Sequence, residues 1–245
     1  MIISIFNFIY KRVQYIYTHE KMTEAIVSNK LIRRLINEMD TALKVLNLAK
    51  EAKKAKKKPL IILGPSAVGK DTMINRLKKN FPEVINKLPS YTTRAKRKNE
   101  KEGIDYYYVT KEEFLKMKNE GKLIGIQEYN NNYYASNKDK LNEALKNKDK
   151  VVVLNYNIET VKSVKGELEF NSVAILPPCE NELRKRLIKR GTKVEEIEKR
   201  MACSIKEIQL INEANYIDFR LVNDEEEKAY QKLLMHLKEK YPQFR

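Results

Sequence analysis

The stretch that decides the fold is Leu60-Ile61-Ile62-Leu63-Gly64-Pro65-Ser66-Ala67-Val68-Gly69-Lys70-Asp71-Thr72. Its first four residues form a continuous apolar run, and Met73-Ile74-Asn75-Arg76-Leu77 beyond it has a helical pattern. Strand, glycine loop and helix in that order is the context a phosphate-binding loop requires. The glycines let the backbone curl so that several N–H groups face one point, and the helix directs its positive end there too. Gly64, Ser66, Ala67, Val68, Gly69, Lys70, Asp71 and Thr72 are therefore candidate ligands for nucleotide phosphates, with Lys70 reaching outward as a point charge. The usual pattern places Ser or Thr directly after the lysine to hold Mg²⁺. Here that position is Asp71, and Thr72 supplies a hydroxyl one residue later. These two are the candidate metal ligands.

The bulk numbers narrow the choice. With 245 residues, there is room for one large domain or a domain with an appendage. The charged fraction of 33% against 42% hydrophobic fits one packed core under a highly solvated surface. Residues 1–58 carry 13 of the 49 Lys and Arg and 5 of the 33 acids, so half of the net +16 sits in under a quarter of the chain. Such a balance attracts polyanions. Aromatics are absent from the densest run, Lys53 to Lys58, so a solvated linker is the reading there and no nucleic-acid partner is expected. Cys179 and Cys203 make neither a disulfide framework nor a metal-ligand spacing, and suit a reducing compartment. With only His19 and His236, a histidine triad or histidine metal cluster is excluded. No run of 18 apolar residues is present, hence no ordinary transmembrane helix is expected.

Ahead of the glycine loop, Met1 to Tyr10 is an apolar leader, read as a disordered or misannotated segment, with a transit peptide or membrane-surface segment as the alternative. Met22 is a plausible start. A cytoplasmic location is expected, with organelle targeting through residues 1–21 as the alternative. Ile32, Leu35, Met39, Ala42, Leu46 and Ala49 then recur at helical spacing and form one seam along an amphipathic basic helix. Residues 23–52 are accordingly expected to pack on the main domain, pair with a second copy or dock a partner.

Behind the loop, Pro82 ends the first helix near Phe81. Ser90-Tyr91-Thr92-Thr93-Arg94, Arg97, Glu100, Gly103 and Asp105-Tyr106-Tyr107-Tyr108 follow. Two arginines three residues apart among hydroxyls and tyrosines make an anion clamp. A helix is expected over Lys111–Glu120, a strand over Leu123–Tyr129, a turn at Asn130-Asn131-Asn132, and a helix capped by Asn137 and running through Leu145. Val151–Leu154 and Val173–Leu176 read as buried parallel strands. Asn155-Tyr156-Asn157 lies at the carboxyl end of the first, where open α/β sheets bind ligands. Pro177-Pro178 stops the second, and Asn181 is expected to cap the helix after it. That helix bears Arg184, Lys185, Arg186, Lys189 and Arg190; a second one, from about Val194 to Asn215, includes Lys199 and Arg200. Around Gly191-Thr192 they suit a lid closing over phosphates. A short strand, Phe219–Val222, and a helix over Glu225–Tyr241 complete the chain.

The order of these motifs resembles the guanylate kinase family, over about Pro59 to Lys240. The likeness rests on the Gly64–Thr72 loop, on Ser90-x-Thr92-Thr93-Arg94-x-x-Arg97 with Glu100, Gly103 and Asp105-Tyr106, on Pro177-Pro178, on Arg190-Gly191-Thr192, and on Val222-Asn223-Asp224. It implies an α/β fold: a P-loop NTPase-type parallel sheet flanked by helices, a small mixed α/β acceptor-binding subdomain at about 90–137, a helical lid at about 184–206, and the N-terminal helical extension 1–58 ahead of the domain at 59–245. It implies transfer of the ATP γ-phosphoryl to GMP or dGMP with Mg²⁺, in purine nucleotide metabolism. By the resemblance, Lys70, Arg186, Arg190 and Arg200 are the catalytic cations. Asn223 joins the loop residues in ATP binding, and Ser90, Arg94, Arg97, Glu100, Tyr106, Tyr134, Ser136 and Asn157 bind GMP. Two departures stand out. Gly125 occupies a position where the family usually has a guanine-reading acid, Glu128 being a different position. Asn155-Tyr156-Asn157 replaces its Asp-x-Asp. The alternatives left open are a related kinase with another phosphorylated acceptor and a catalytically weak binding module.

Overall fold

The computed structural model describes residues 58–245 apart from Asn130, together with Glu38, Thr41, Ala42 and Lys44. The chain divides into two units, Met1–Lys56 and Lys57–Arg245. The expected leader lies outside the described residues, and so does the apolar seam apart from Ala42. Among the described residues no helix is long and apolar enough to cross a membrane.

The second unit is an α/β fold built on two sheets. The elements run β1 (Leu60–Leu63), α1 (Lys70–Asn80), β2 (Ile85–Lys87), β3 (Ser90–Thr92), β4 (Tyr106–Tyr108), α2 (Lys111–Asn119), β5 (Leu123–Tyr129) and β6 (Asn132–Asn137). Then come α3 (Lys138–Lys146), β7 (Val151–Asn155), α4 (Ile158–Val164), β8 (Asn171–Leu176), α5 (Glu180–Lys189), α6 (Val194–Glu213), β9 (Phe219–Val222) and α7 (Glu226–Lys240).

The main sheet has the order β2-β7-β1-β8-β9, and every pairing in it is parallel. Its central strands β7, β1 and β8 are mostly apolar and buried because both faces are covered, whereas the edge strands β2 and β9 are only partly so. Leu60 and Ile62 face a core with Met73, Ile74 and Leu77 of α1, Leu183 and Leu187 of α5, and Tyr230, Leu233 and Leu237 of α7. Ile61 and Leu63 face the other way, onto Leu141 of α3, Val161 and Val164 of α4, and Ile211 of α6. This two-residue alternation along β1 locks the central strand between two helical layers. Each fully buried side chain of this kind stabilises the fold by about 1.5–3 kcal/mol relative to exposure.

The second sheet has the order β4-β3-β6-β5 and is mixed: β3 pairs with β4 in parallel, while β6 runs antiparallel to both β3 and β5. Phe114 of α2, Leu123 and Ala135 form its small core. A capping box at Thr110, in which the Thr110 side chain accepts the Glu113 N–H and the Glu113 carboxylate accepts the Thr110 N–H, fixes the start of α2 and so the approach of Phe114.

Several local expectations need correction. Asn181 does not cap α5; the cap position is Cys179, with no side-chain bond, because the helix begins two residues earlier, at Glu180. Asn132 opens β6 instead of closing the turn, which leaves the left-handed φ of +59° to Asn131. The helix α6 stops at Glu213, short of Asn215.

Candidate active site

The carboxyl end of β1 is where the site is made. Here the chain must leave a buried strand and start α1 within six residues. Gly64 has φ +135°, and a Cβ there would lie 2.1 Å from the Ile175 carbonyl oxygen, so only glycine fits beside β8. The cap position of α1 is Gly69, which has no side chain to bond the first-turn N–H groups. They stay available, and the helix start becomes an anion site. Lys70 donates from Nζ to the Gly64 carbonyl, and to Pro65 O at 2.9 Å, folding back across the loop. Burial lowers its pKa, against the pull of Glu207 and Asp71.

A cleft of about 750 Å³ joins this loop to the second sheet. Lys70, Asp71 and Thr72 line it together with Arg94, Arg97, Glu100, Tyr106 and Tyr134, and with Arg186, Arg190 and Arg200. The cleft also takes in Ser90, Asn155 and Asn157. Residues as far apart in the chain as Gly64 and Glu207 thus share one space.

Arg94 is fixed before any ligand arrives. Its Nη2 donates to Glu100 Oε1 at 2.7 Å and its Nη1 to Ala95 O at 2.8 Å. The guanidinium lies 5.2 Å from the Tyr106 ring centre, and Tyr106 meets Tyr134 edge to face at 6.0 Å. The other Glu100 oxygen accepts the Arg97 N–H at 2.9 Å and the Tyr108 hydroxyl at 2.8 Å. Burial works to raise the Glu100 pKa, but bonds from Arg94, the Arg97 N–H and Tyr108 outweigh it and hold it at about 2. Expected as a ligand contact, Glu100 instead has both oxygens engaged by the protein: it holds the arginine that faces the cleft. Burial also pushes the Tyr106 phenol up to about 12, so it stays a donor.

The three arginines of α5 and α6 differ. Arg186 is built into the loop's support: Nη1 donates to Val68 O at 3.4 Å, Nη2 to Asn223 O at 2.9 Å, and Nε to Glu182 at 3.0 Å. Arg200 donates to Glu196 at 2.7 Å, while its buried Nε has no partner. A buried unpaired guanidinium N–H on a cleft wall is an open position for an anion. Arg190 is exposed at the carboxyl end of α5.

Three of the expected contact residues stand behind the wall instead of on it. Val68 is fully buried. Asn223 is buried too; its Nδ2 donates to Val68 O at 2.8 Å and braces the loop, leaving Oδ1 unpaired. Ser136 is fully buried, and its Oγ accepts the Tyr156 hydroxyl at 2.8 Å.

Other residues of the cleft went unnoticed in the sequence. Glu207 of α6 lines it, accepts the Ile158 N–H at 3.3 Å, and has its pKa raised by burial against the pull of Lys70. Gln127 lines it as well, beside Tyr156 of the Asn155-Tyr156-Asn157 stretch already singled out. Asn155 donates to Asp71 Oδ1 at 3.2 Å, tying the end of β7 to the first turn of α1. The separation of these partners in the chain hid them, and only the register of the strands brings them together.

The family model for guanylate kinase matches residues 56–240, three-quarters of the chain. The chain belongs to the guanylate kinase family. A guanylate kinase of Schizosaccharomyces pombe is 36% identical over 180 residues, covering 73% of this chain and 89% of that protein. A guanylate kinase of Malacoplasma penetrans is 35% identical over 194 residues, covering 78% and 97%. Among solved structures, guanylate kinase from Anaplasma phagocytophilum superposes with a TM-score of 0.60 at 27% identity, over 76% of this chain and 87% of that one. The glycine loop at 64–72, Arg94 and Arg97, and helices α5 and α6 all fall inside the part of the chain that the guanylate kinase model matches.

Proposed function

We propose that the protein transfers the γ-phosphoryl of ATP to GMP or dGMP, giving ADP and GDP or dGDP. The observation that carries this is the single cleft holding both the Lys70 loop and the Arg94–Arg97 clamp. Phosphoryl transfer needs alignment and charge neutralisation more than proton chemistry. The first-turn N–H groups of α1 and Lys70 hold the ATP phosphates. Lys70 releases its loop carbonyls to do so. Asn223 supports the ATP site from behind, through its bond to Val68 O. Arg94, Arg97, Tyr106 and Tyr134 hold the acceptor phosphate, and Arg186, Arg190 and Arg200 neutralise the group in flight. The segment at about 90–137 serves as the acceptor-binding subdomain and the one at about 184–206 as the lid.

Mg²⁺ fits the residues present. Asp71 is exposed on the cleft, with Oδ1 held by Asn155, and Thr72 adds a hydroxyl. Hard oxygen donors of this kind suit a magnesium ion that keeps most of its shell as water and phosphate. Such an ion supplies neutralisation of the β and γ phosphates. A homodimer or helix partner through residues 23–52 is kept as part of the proposal. Its test is the mass in solution of the full chain against one lacking residues 1–58.

The kinase test is ADP formation from ATP and Mg²⁺ with a panel of nucleoside monophosphates. Turnover with GMP supports the reading, and no turnover with any monophosphate overturns it.

A further inference from the structure

Beyond the acceptor-phosphate residues, the cleft continues along β3 and β6. The pairing of Tyr91 with Ala135 sets Ser90 level with Ser136, one step past Thr92 and Tyr134. At this inner end β5 bulges between Ile124 and Gln127, and Gly125 takes φ +65°. The space beside it is full: a Cβ on Gly125 would lie 2.7 Å from Tyr156 Cζ, 2.9 Å from its hydroxyl oxygen and 3.1 Å from Thr160 Cγ2. Tyr156 is 2% exposed and donates its hydroxyl to Ser136 at 2.8 Å. Burial pushes its pKa up to about 12, so the donor persists at any working pH. Glycine, bulge and tyrosine therefore form one plug that closes the cleft behind the acceptor.

The polar groups around that plug are neutral, and each amide already has a partner. Asn157 Oδ1 accepts the Thr160 N–H at 2.8 Å as the cap of α4. A backbone N–H fixes which end of the amide is the oxygen, so the end of Asn157 left to donate is its NH₂. Gln127 Oε1 accepts the Thr160 hydroxyl at 3.2 Å, so neither oxygen is left unpaired when no ligand is bound. Each acid that lines the cleft already has a partner away from the plug: Asp71 accepts from Asn155, Glu100 from Arg94 and the Arg97 N–H, Asp105 from the Lys101 N–H, Glu196 from Arg200 and Glu207 from the Ile158 N–H.

We propose that the acceptor base is read at this plug by amide N–H donors and hydroxyls, with no carboxylate, so that the cleft takes 6-oxopurine monophosphates with or without a 2-amino group. This rests on the kinase reading above. The donors match the 6-oxo oxygen, and nothing in the wall demands a 2-amino partner. A site that leaves no buried acceptor unpaired when that amino group is missing exacts little for its loss; one built around such an acceptor rejects the analogue by orders of magnitude. GMP and inosine monophosphate should both be substrates.

The test compares kcat/KM for GMP and inosine monophosphate at saturating ATP and Mg²⁺, with the dissociation constants of both measured calorimetrically on the full chain. The expected ratio is within about thirtyfold in each measurement. A preference for GMP beyond that overturns the inference. Turnover with neither nucleotide refutes the kinase reading, and the ratio of dissociation constants then decides this one separately. Asn157→Asp supplies the second arm. Aspartate caps a helix as well as asparagine does, so the melting temperature should hold while the new acceptor raises the GMP preference at least about tenfold. An unchanged preference in the variant with an unchanged melting temperature also overturns the proposal.

Discussion

Arg94→Lys separates positioned hydrogen bonding from charge alone. Arg94 spends one N–H on Glu100 at 2.7 Å and one on Ala95 O at 2.8 Å. The rest of the guanidinium faces the cleft over Tyr106, 5.2 Å from the ring centre. Lysine keeps the positive charge, and so the long-range attraction, but a single ammonium cannot bond Glu100 and a phosphate in a fixed plane. The loss is one charge-assisted hydrogen bond to the phosphate, about 1.5–3 kcal/mol. That corresponds to a rise in KM for GMP of about tenfold to a hundredfold. The partners of Arg94 are Glu100, Ala95 and the tyrosine rings, none of them in the Lys70 loop, so KM for ATP should stay within about twofold. The assay is steady-state ADP release with each substrate varied at saturation of the other. A KM for GMP that does not move, or a KM for ATP that rises in parallel, refutes the assignment of Arg94 to the acceptor.

Three further outcomes are expected. Lys70→Met, which keeps the length of the side chain and removes its charge, should lower kcat by about 10²–10³-fold, with circular dichroism unchanged. Asp71→Asn should raise the Mg²⁺ concentration needed for half-maximal rate by about tenfold, read in a metal titration at fixed ATP, because the anionic oxygen beside the loop is lost. Glu100 has a carboxyl depressed from 4.5 to about 2, so the folded state binds fewer protons than the unfolded one between those values. Its contribution is present above pH 4.5 and is lost as the pH falls toward 2. Acid unfolding followed by fluorescence should therefore show a shallower loss of stability across that window in Glu100→Gln than in the parent.

What the sequence made legible was local. The strand Leu60–Leu63, the glycine turn and the helix beyond it follow one another without a break, as do the apolar runs of β7 and β8. The arginine clamp was legible because Arg94, Arg97 and Glu100 sit within seven residues of one another. The strand β2 was not, since Ile85-Asn86-Lys87 is three residues at the sheet edge with one buried side chain. Helix α4 was hidden by its seven-residue length, too short for a periodic pattern to declare itself. The second sheet was hidden by its tyrosines. Tyr106-Tyr107-Tyr108 read as the flank of an anion clamp and not as a strand, because side chains large enough for a core also suit a binding wall. Gly125 looked like a bare loss of an acid until the fold set Tyr156 into the space beside it. Glu100 was read as a ligand because its distance to Arg94 depends on a loop conformation that spacing does not encode.

The central claim is that two phosphate cradles face each other across one cleft. The most direct test is calorimetric titration with a bisubstrate analogue in which adenosine and guanosine are joined through five phosphates. The account predicts one molecule bound per chain, at least about a hundredfold tighter than ATP or GMP alone, with each nucleotide displaced by it. Binding no tighter than that of ATP, with GMP still able to bind beside it, would contradict it.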